Sequence, residues 1–273
     1  MRQLDFVLYA LVLAVVLWAL AGPGGESGDS PETLPDHIEN DGPMLPDPSV
    51  FDERILVMVD DPQDGIGTAF AVNRNGQWLT ARHVVEGCRQ VSLLVAPGRY
   101  VPVQSVKVSD TSDLALLTTG RSPRAVDLDL TTPLYVGEEG FHVGYPGGRP
   151  GEAATRLLAR SKLLSRGLRR SEEDVIAWAE VGRTRGLNGS LGGLSGGPVF
   201  DANGVVRGVI VAESPRRGRI YTTAPSSITT FLEQEGVEAG EGRSTPFTVK
   251  DYGSRADDAR NSLQVVKVAC RVS

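Results

Sequence analysis

Short runs of apolar and β-branched residues, punctuated by glycine and proline, recur along the chain. Residues 54–59 and 65–72 are strand-like, and Asn75-Gly76, between Val72 and Trp78, is the dipeptide that a tight hairpin turn favours. Further short runs stand at 91–95, 100–108, 114–117 and 141–144, and no long amphipathic helix interrupts them. Many short strands with Gly/Pro turns predict an all-β fold, either barrels or a sandwich. Near the end, 257–262 reads as a short helix. Residues 263–270 alternate like a strand that adds to the barrel surface.

Two N-terminal stretches break this pattern. Residues 6–20 are continuously apolar after Arg2 and Asp5. A span of hydrocarbon takes about 20 residues, so the run suits the core of a signal peptide. Ala19-Leu20-Ala21 has the small-x-small pattern of a cleavage site, while the continuation through Gly22 equally suits an uncut anchor. Residues 1–21 are therefore expected to be a signal peptide or membrane anchor. Any membrane contact is assigned to residues 6–21, and the rest is expected to be exported, periplasmic or extracellular. Residues 22–50 are rich in Gly, Pro, Ser, Asp and Glu, a composition that buries too little to order itself, and they read as a flexible linker. His37 within it reads as solvated, with no metal role.

The remaining length, with 40% hydrophobic residues overall, suffices for one medium domain, placed at 51–235, and a tail at 236–273. That tail is shorter than the ~50 residues a domain ordinarily takes, so no separate peptide-binding module is expected there. A net charge of −6 disfavours nucleic acid as a partner. Between residues 149 and 185 the chain turns basic, with Arg156, Arg160, Lys162, Arg166, Arg169, Arg170, Arg183 and Arg185. It reads as a solvated hairpin; the sharper reading is a positive rim for acidic peptides or an activating partner. His142, in the strand at 141–144, is expected to face outward.

The candidate chemistry begins at Gly192-Gly193-Leu194-Ser195-Gly196-Gly197-Pro198. Glycines let such a loop present one hydroxyl and aim amide N–H groups around it, which is what acyl transfer needs. A base and an orienting acid lie elsewhere. Thr80-Ala81-Arg82-His83 holds a histidine beside an apolar run, and Ser112-Asp113-Leu114 holds an aspartate that enters a hydrophobic strand. The order His, Asp, Ser is one of the known orders of a catalytic triad. Nothing calls for a metal or an organic cofactor.

These segments resemble the T-A-x-H, D-L-A-L and G-x-S-G-G-P blocks of the trypsin/chymotrypsin superfamily of serine peptidases. Residues 141–148 resemble the matching segment of bacterial Deg/HtrA-type members. The resemblance covers roughly 51–235, with 204–212 and 220–222 as later strands and 226–235 as the terminal helix. It implies two packed antiparallel β-barrels, a short C-terminal helix and a site in the crevice between the barrels. It also implies the roles of a serine endopeptidase acting on protein or peptide substrates. Ser195 is the nucleophile, His83 the base, Asp113 the group that orients and stabilises the imidazole, and the N–H groups of Gly193 and Ser195 the oxyanion hole.

Three departures bear on specificity. Leu194 stands where many members carry an acid that pairs with a new N-terminus, so activation by trimming is not expected. Arg82 precedes the histidine where a small residue is usual, and is expected to point to solvent. Gly189 replaces the acid at the pocket floor of trypsin-like members, while Glu213 and Arg219 fall where deep pockets have glycine. If Glu213 and Arg219 both point inward they pair and leave a shallow pocket for small apolar residues; if Glu213 alone does, basic residues return. Cys88 and Cys270 are the only cysteines, compatible in an exported chain with one disulfide or with two free thiols. The alternative to an active enzyme is a peptidase fold that serves as a binding or sensing module with negligible turnover.

Overall fold

The computed structural model describes residues 42–59, 61–167 and 170–273. The N-terminal apolar run and His37 lie outside the described residues. No helix among the described residues is long and apolar enough to cross a membrane.

Among the described residues, fourteen strands form two seven-stranded sheets. The first contains β2 (Gly65–Ala71), β3 (Gln77–Thr80), β4 (Gln90–Ala96), β5 (Arg99–Pro102), β6 (Ser105–Val108), β7 (Ala115–Thr118) and β14 (Val265–Arg271), in the order β5-β4-β14-β2-β3-β7-β6. The second contains β1 (Glu53–Val59), β8 (Glu139–Gly144), β9 (Gly151–Gly167), β10 (Ser171–Arg183), β11 (Pro198–Phe200), β12 (Val206–Ser214) and β13 (Arg219–Thr223). Its order is β1-β9-β10-β13-β12-β11-β8, and β8 also pairs with β9 so that the sheet closes on itself. The all-β, two-sheet architecture is the expected one. One pair departs from the antiparallel rule, because β1 runs parallel to β9 at the sheet edge.

The hairpin signal at Asn75-Gly76 corresponds to the β2–β3 pairing, with Phe70 opposite Leu79. Gly76 has φ +84°, a conformation that a side chain would strain. The run at 100–108 is two strands. After Pro102 the Val103 amide still bonds Val91, but the Gln104 amide bonds Thr118, so the chain leaves β4 and β5 to pair with β7.

Among the described residues, three α-helices accompany the sheets: α1 (Arg82–Val85), α2 (Pro225–Gln234) and α3 (Tyr252–Asn261). Helix α3 extends further toward the N-terminus than the pattern at 257–262 implied. Its buried Arg260 bonds Glu152 of β9 at 2.7 Å. The following strand does not lie on the barrel surface. β14 pairs with β2 on one side and β4 on the other, and Val265, Val266 and Val268 are fully buried. One apolar cluster joins the sheets: Phe70, Leu79 and Val265 from the first, with Phe141, Val143 and Val209 from the second.

The basic stretch is the β9–β10 hairpin, and much of it is structural rather than solvated. Leu157, Val175, Ile176 and Trp178 are buried in it. Several of its cations have acidic partners: Arg156 with Glu139, Lys162 with Asp174, and Arg183 with Glu180. His142 does not face outward. It is fully buried, with Nε2 2.9 Å from Thr155 Oγ1 and its ring edge-on to Trp178. Burial holds its pKa down at about 3, so it is a neutral core residue.

Candidate active site

His83 sits in α1, a single turn that follows β3, and Asp113 closes the loop that enters β7. Because β3 and β7 pair directly, with Thr80 opposite Ala115, the two residues emerge side by side from neighbouring strands. The Arg82 amide donates to the Asp113 carbonyl at 3.2 Å, which joins the two main chains. The Asp113 carboxylate then accepts twice from His83. Oδ1 takes the backbone N–H at 2.9 Å, and Oδ2 lies 2.5 Å from ring Nδ1. That arrangement places the ring proton on Nδ1 and leaves Nε2 free to act as a base.

Burial by itself would lower the His83 pKa. The Asp113 charge and hydrogen bond, with smaller effects of Glu173 and Glu86, outweigh it and hold the imidazole above its ordinary 6.5. One edge of the side chain stays open, 37% accessible. It opens on a cavity of about 380 Å³ whose wall also includes Asp113, Gly192, Gly193 and Ser195.

The loop that carries Ser195 is held from both sheets. In β2, the Thr68 amide donates to the Ser195 carbonyl at 2.9 Å. The fully buried Thr68 hydroxyl donates to the Gly193 carbonyl at 2.7 Å and accepts the Tyr145 amide at 3.1 Å. From the turn after β8, the Gly147 amide donates to the Gly192 carbonyl at 2.7 Å. In a trans peptide the C=O and N–H point opposite ways, so this bond turns the Gly193 N–H away from Gly147. Among the described residues, neither the Gly193 nor the Ser195 amide has an acceptor. Gly193 has φ +101°, and a side chain there would collide with the Tyr145 carbonyl. At Gly196 a side chain would strike Thr80 Oγ1 and the Thr68 carbonyl. Both positions therefore require glycine.

The three candidate pocket residues, Gly189, Glu213 and Arg219, are not on the cavity wall. Gly189 accepts a bond from Arg183 Nη1 at 2.9 Å. Glu213 and Arg219 do not pair with each other. The Glu213 carboxylate bonds the Ser190 hydroxyl and receives the Leu191 amide at 2.8 and 2.9 Å, while Arg219 reaches Glu53 of β1 at 2.5 Å. Arg82 does not point to solvent either. It is buried, with Nη1 2.6 Å from the Ser109 carbonyl and Nη2 2.7 Å from Glu86. It thereby ties α1 to the loop of Asp113. Leu194 is buried in a small cluster with Leu191, Ile210 and Ile220. Cys88 and Cys270 are bonded, with Cα atoms 5.5 Å apart, so the turn after His83 is fastened to β14. Thr68, Gly147 and Glu173 were not singled out from the sequence; each acts on the site through hydrogen bonds to distant main chain. Among the described residues no cluster of His, Cys, Asp and Glu suits a metal ion.

The family model described as the trypsin-like peptidase domain matches residues 67–209, a stretch that includes His83, Asp113 and Ser195. Among curated proteins, the chain is 27% identical over 209 residues to the periplasmic pH-dependent serine endoprotease DegQ of Escherichia coli. That match covers 73% of this chain and 43% of the relative. It is 25% identical over 166 residues to the chloroplastic Protease Do-like 1 of Arabidopsis thaliana, covering 59% and 36%. The chain thus spans less than half the length of these relatives. The active form of the Rv3671c protease from M. tuberculosis shares the fold at a TM-score of 0.52 and 18% identity, over 73% of this chain and 93% of that one.

Proposed function

The chain belongs to the trypsin-like peptidase family, and from that premise we propose that it is a serine endopeptidase that works through Ser195, His83 and Asp113. The observation that carries this reading is the double hydrogen bond from His83 to Asp113, on the wall of the cavity that Ser195 also lines. His83 Nε2 takes the Ser195 proton as Oγ attacks the scissile carbonyl. The proton then passes to the leaving amine, and an acyl-enzyme remains. A water, deprotonated by the same imidazole, releases the acid and restores the serine. Asp113 stays ionised throughout, orienting the ring and stabilising the imidazolium. The oxyanion of each tetrahedral intermediate is taken by the Gly193 and Ser195 amides, a role supported by their having no acceptor among the described residues.

The substrate is a protein or peptide. Glu213 spans Ser190 and Leu191, beside the strand that would flank the residue preceding the scissile bond. Its carboxylate is engaged by the Ser190 hydroxyl and the Leu191 amide rather than presented to a ligand. The inward Glu213–Arg219 pair that would make the pocket shallow is absent, and the preference for small apolar side chains over Lys or Arg rests on Glu213 being so engaged. The N-terminal apolar run, together with the periplasmic location of the relative DegQ, supports an exported enzyme, either freed by cleavage or tethered by residues 6–21.

The test is digestion of an unfolded protein by the wild type and by Ser195→Ala, with mass-spectrometric sequencing of the products. Cleavage that follows Ala, Val or Ser and vanishes in the variant supports the proposal. Equal cleavage by both, or none by either under any condition, contradicts it; the second outcome favours the binding or sensing module.

A further inference from the structure

Beneath Asp113 lies a second acidic side chain that the triad does not use. Glu173 of β10 is buried, 6% exposed, and its Oε2 accepts the Asp113 backbone N–H at 3.0 Å. The two sheets therefore meet at this point. Asp113 belongs to the first, its supporting carboxyl comes from the second, and His83 sits on the other side of Asp113.

The charged groups around Glu173 are few, and those that act most strongly bear on the site. Asp113 faces it from the loop before β7, His83 acts on it from α1, and Asp174 is its neighbour on β10. Opposite it on β9 stands uncharged Leu163. The cations Arg82 of α1 and Lys162 of β9 are committed elsewhere. Arg82 is bound to Ser109 and Glu86, and Lys162 of β9 to Asp174. No guanidinium or ammonium among the described residues is shown bonded to Glu173.

Resting on the triad reading above, we propose that Glu173 is a positioning residue that holds the main chain of Asp113 and couples its own ionisation to that of His83. Burial first, and the Asp113 charge second, push the Glu173 carboxyl up to about 8. The charge of Glu173 in turn raises His83, and the charge of His83 lowers Glu173. Uptake of a proton by His83 thus favours its loss from Glu173, and the reverse, each charged form making the other easier to hold. When Ser195 gives its proton to His83, the imidazolium is met by Asp113 directly and by a Glu173 that sheds its proton more readily. No covalent step and no outside reagent is involved.

The measurement is a titration of the His83 ring by heteronuclear NMR, in the wild type and in Glu173→Gln. Glutamine keeps an oxygen for the Asp113 amide but cannot ionise. The wild-type curve is expected to be broadened, with two inflections. In Glu173→Gln it should become a single inflection at lower pH, and the acid limb of kcat/KM should move the same way. Identical midpoints and shapes in the two proteins would overturn the coupling and reduce Glu173 to a structural acceptor. If the variant does not fold, the wild-type curve still decides, because one ideal inflection contradicts the proposal. The titration needs no turnover. A broadened curve in a chain that cleaves nothing would sink the peptidase reading and leave the coupling standing, whereas normal cleavage with unchanged titration would do the reverse.

Discussion

Replacing Thr68 by valine tests how the serine loop is held. Valine matches threonine in shape, so the swap opens no cavity; what it removes is one fully buried hydroxyl. Two groups then lose a partner: the Gly193 carbonyl, to which Oγ1 donates at 2.7 Å, and the Tyr145 amide, from which it accepts at 3.1 Å. Leaving a buried polar group unpaired costs about 1–3 kcal/mol. Two such groups, partly relieved by relaxation, should lower stability by about 2–4 kcal/mol. The Gly192–Gly193 peptide would keep its Gly147 bond, while the next peptide, Gly193–Leu194, would lose the bond at its carbonyl. Complete loss of an oxyanion donor costs about 2.7–4 kcal/mol, or 10²–10³ in kcat. A loosened donor should cost part of that, roughly 10- to 100-fold, with KM changed less. Thr68→Ser is the control, since it keeps the hydroxyl and gives up one methyl, worth about 1 kcal/mol. Urea denaturation gives the stabilities, and steady-state cleavage of a peptide gives kcat and KM. If Thr68→Val matches Thr68→Ser within twofold in kcat and within 0.5 kcal/mol or so in stability, the clamp argument fails.

Three other outcomes are expected. Because the neutral imidazole is the base, kcat/KM should rise with pH through the His83 pKa and reach half its plateau above the ordinary 6.5. Asp113→Asn removes the strongest of the influences that raise it, so the midpoint should fall and kcat should drop about 10⁴-fold; a pH–rate profile of both proteins checks this. Cys88 and Cys270 are 182 residues apart, and in the chain-entropy model such a link contributes about 5 kcal/mol. The Cys88→Ser/Cys270→Ser double variant should therefore unfold at much lower urea than the oxidised wild type, and equal midpoints would show that the bridge adds nothing. A chain ended after Glu235 should fail to give a cooperative unfolding transition, because it lacks the strand that joins β2 to β4; a sharp calorimetric peak from it would contradict that.

Sequence motifs and spatial partners were legible to different degrees. The segments around His83, Asp113 and Ser195 stand out because each packs its signal into a few contiguous residues. Strands with turn residues at their ends were visible for the same local reason, β14 among them. Its place was not, since sheet order depends on pairings such as Val265 with Phe70 that no local pattern encodes. Arg82 and His142 show the same limit. A polar side chain beside an apolar run reads as solvent-facing unless its partner is known, and the partners here are Ser109 and Thr155. Thr68 reaches Gly193 across 125 residues and Asp113 reaches Glu173 across 60, so neither support had a signature to read. Glu213 and Arg219 were expected to pair with each other if both turned inward, but their partners, Leu191 and Glu53, come from outside the motif.

The central claim is that the Ser195 hydroxyl is made nucleophilic by His83 and Asp113. It is tested most directly by exposing the folded protein to a fluorophosphonate and mapping the adduct by peptide mass spectrometry. The account predicts one adduct, on Ser195, formed rapidly above the His83 pKa, much more slowly in His83→Ala, and not at all in Ser195→Ala. An unmodified Ser195 after prolonged exposure, or modification equally fast without the imidazole, would contradict it.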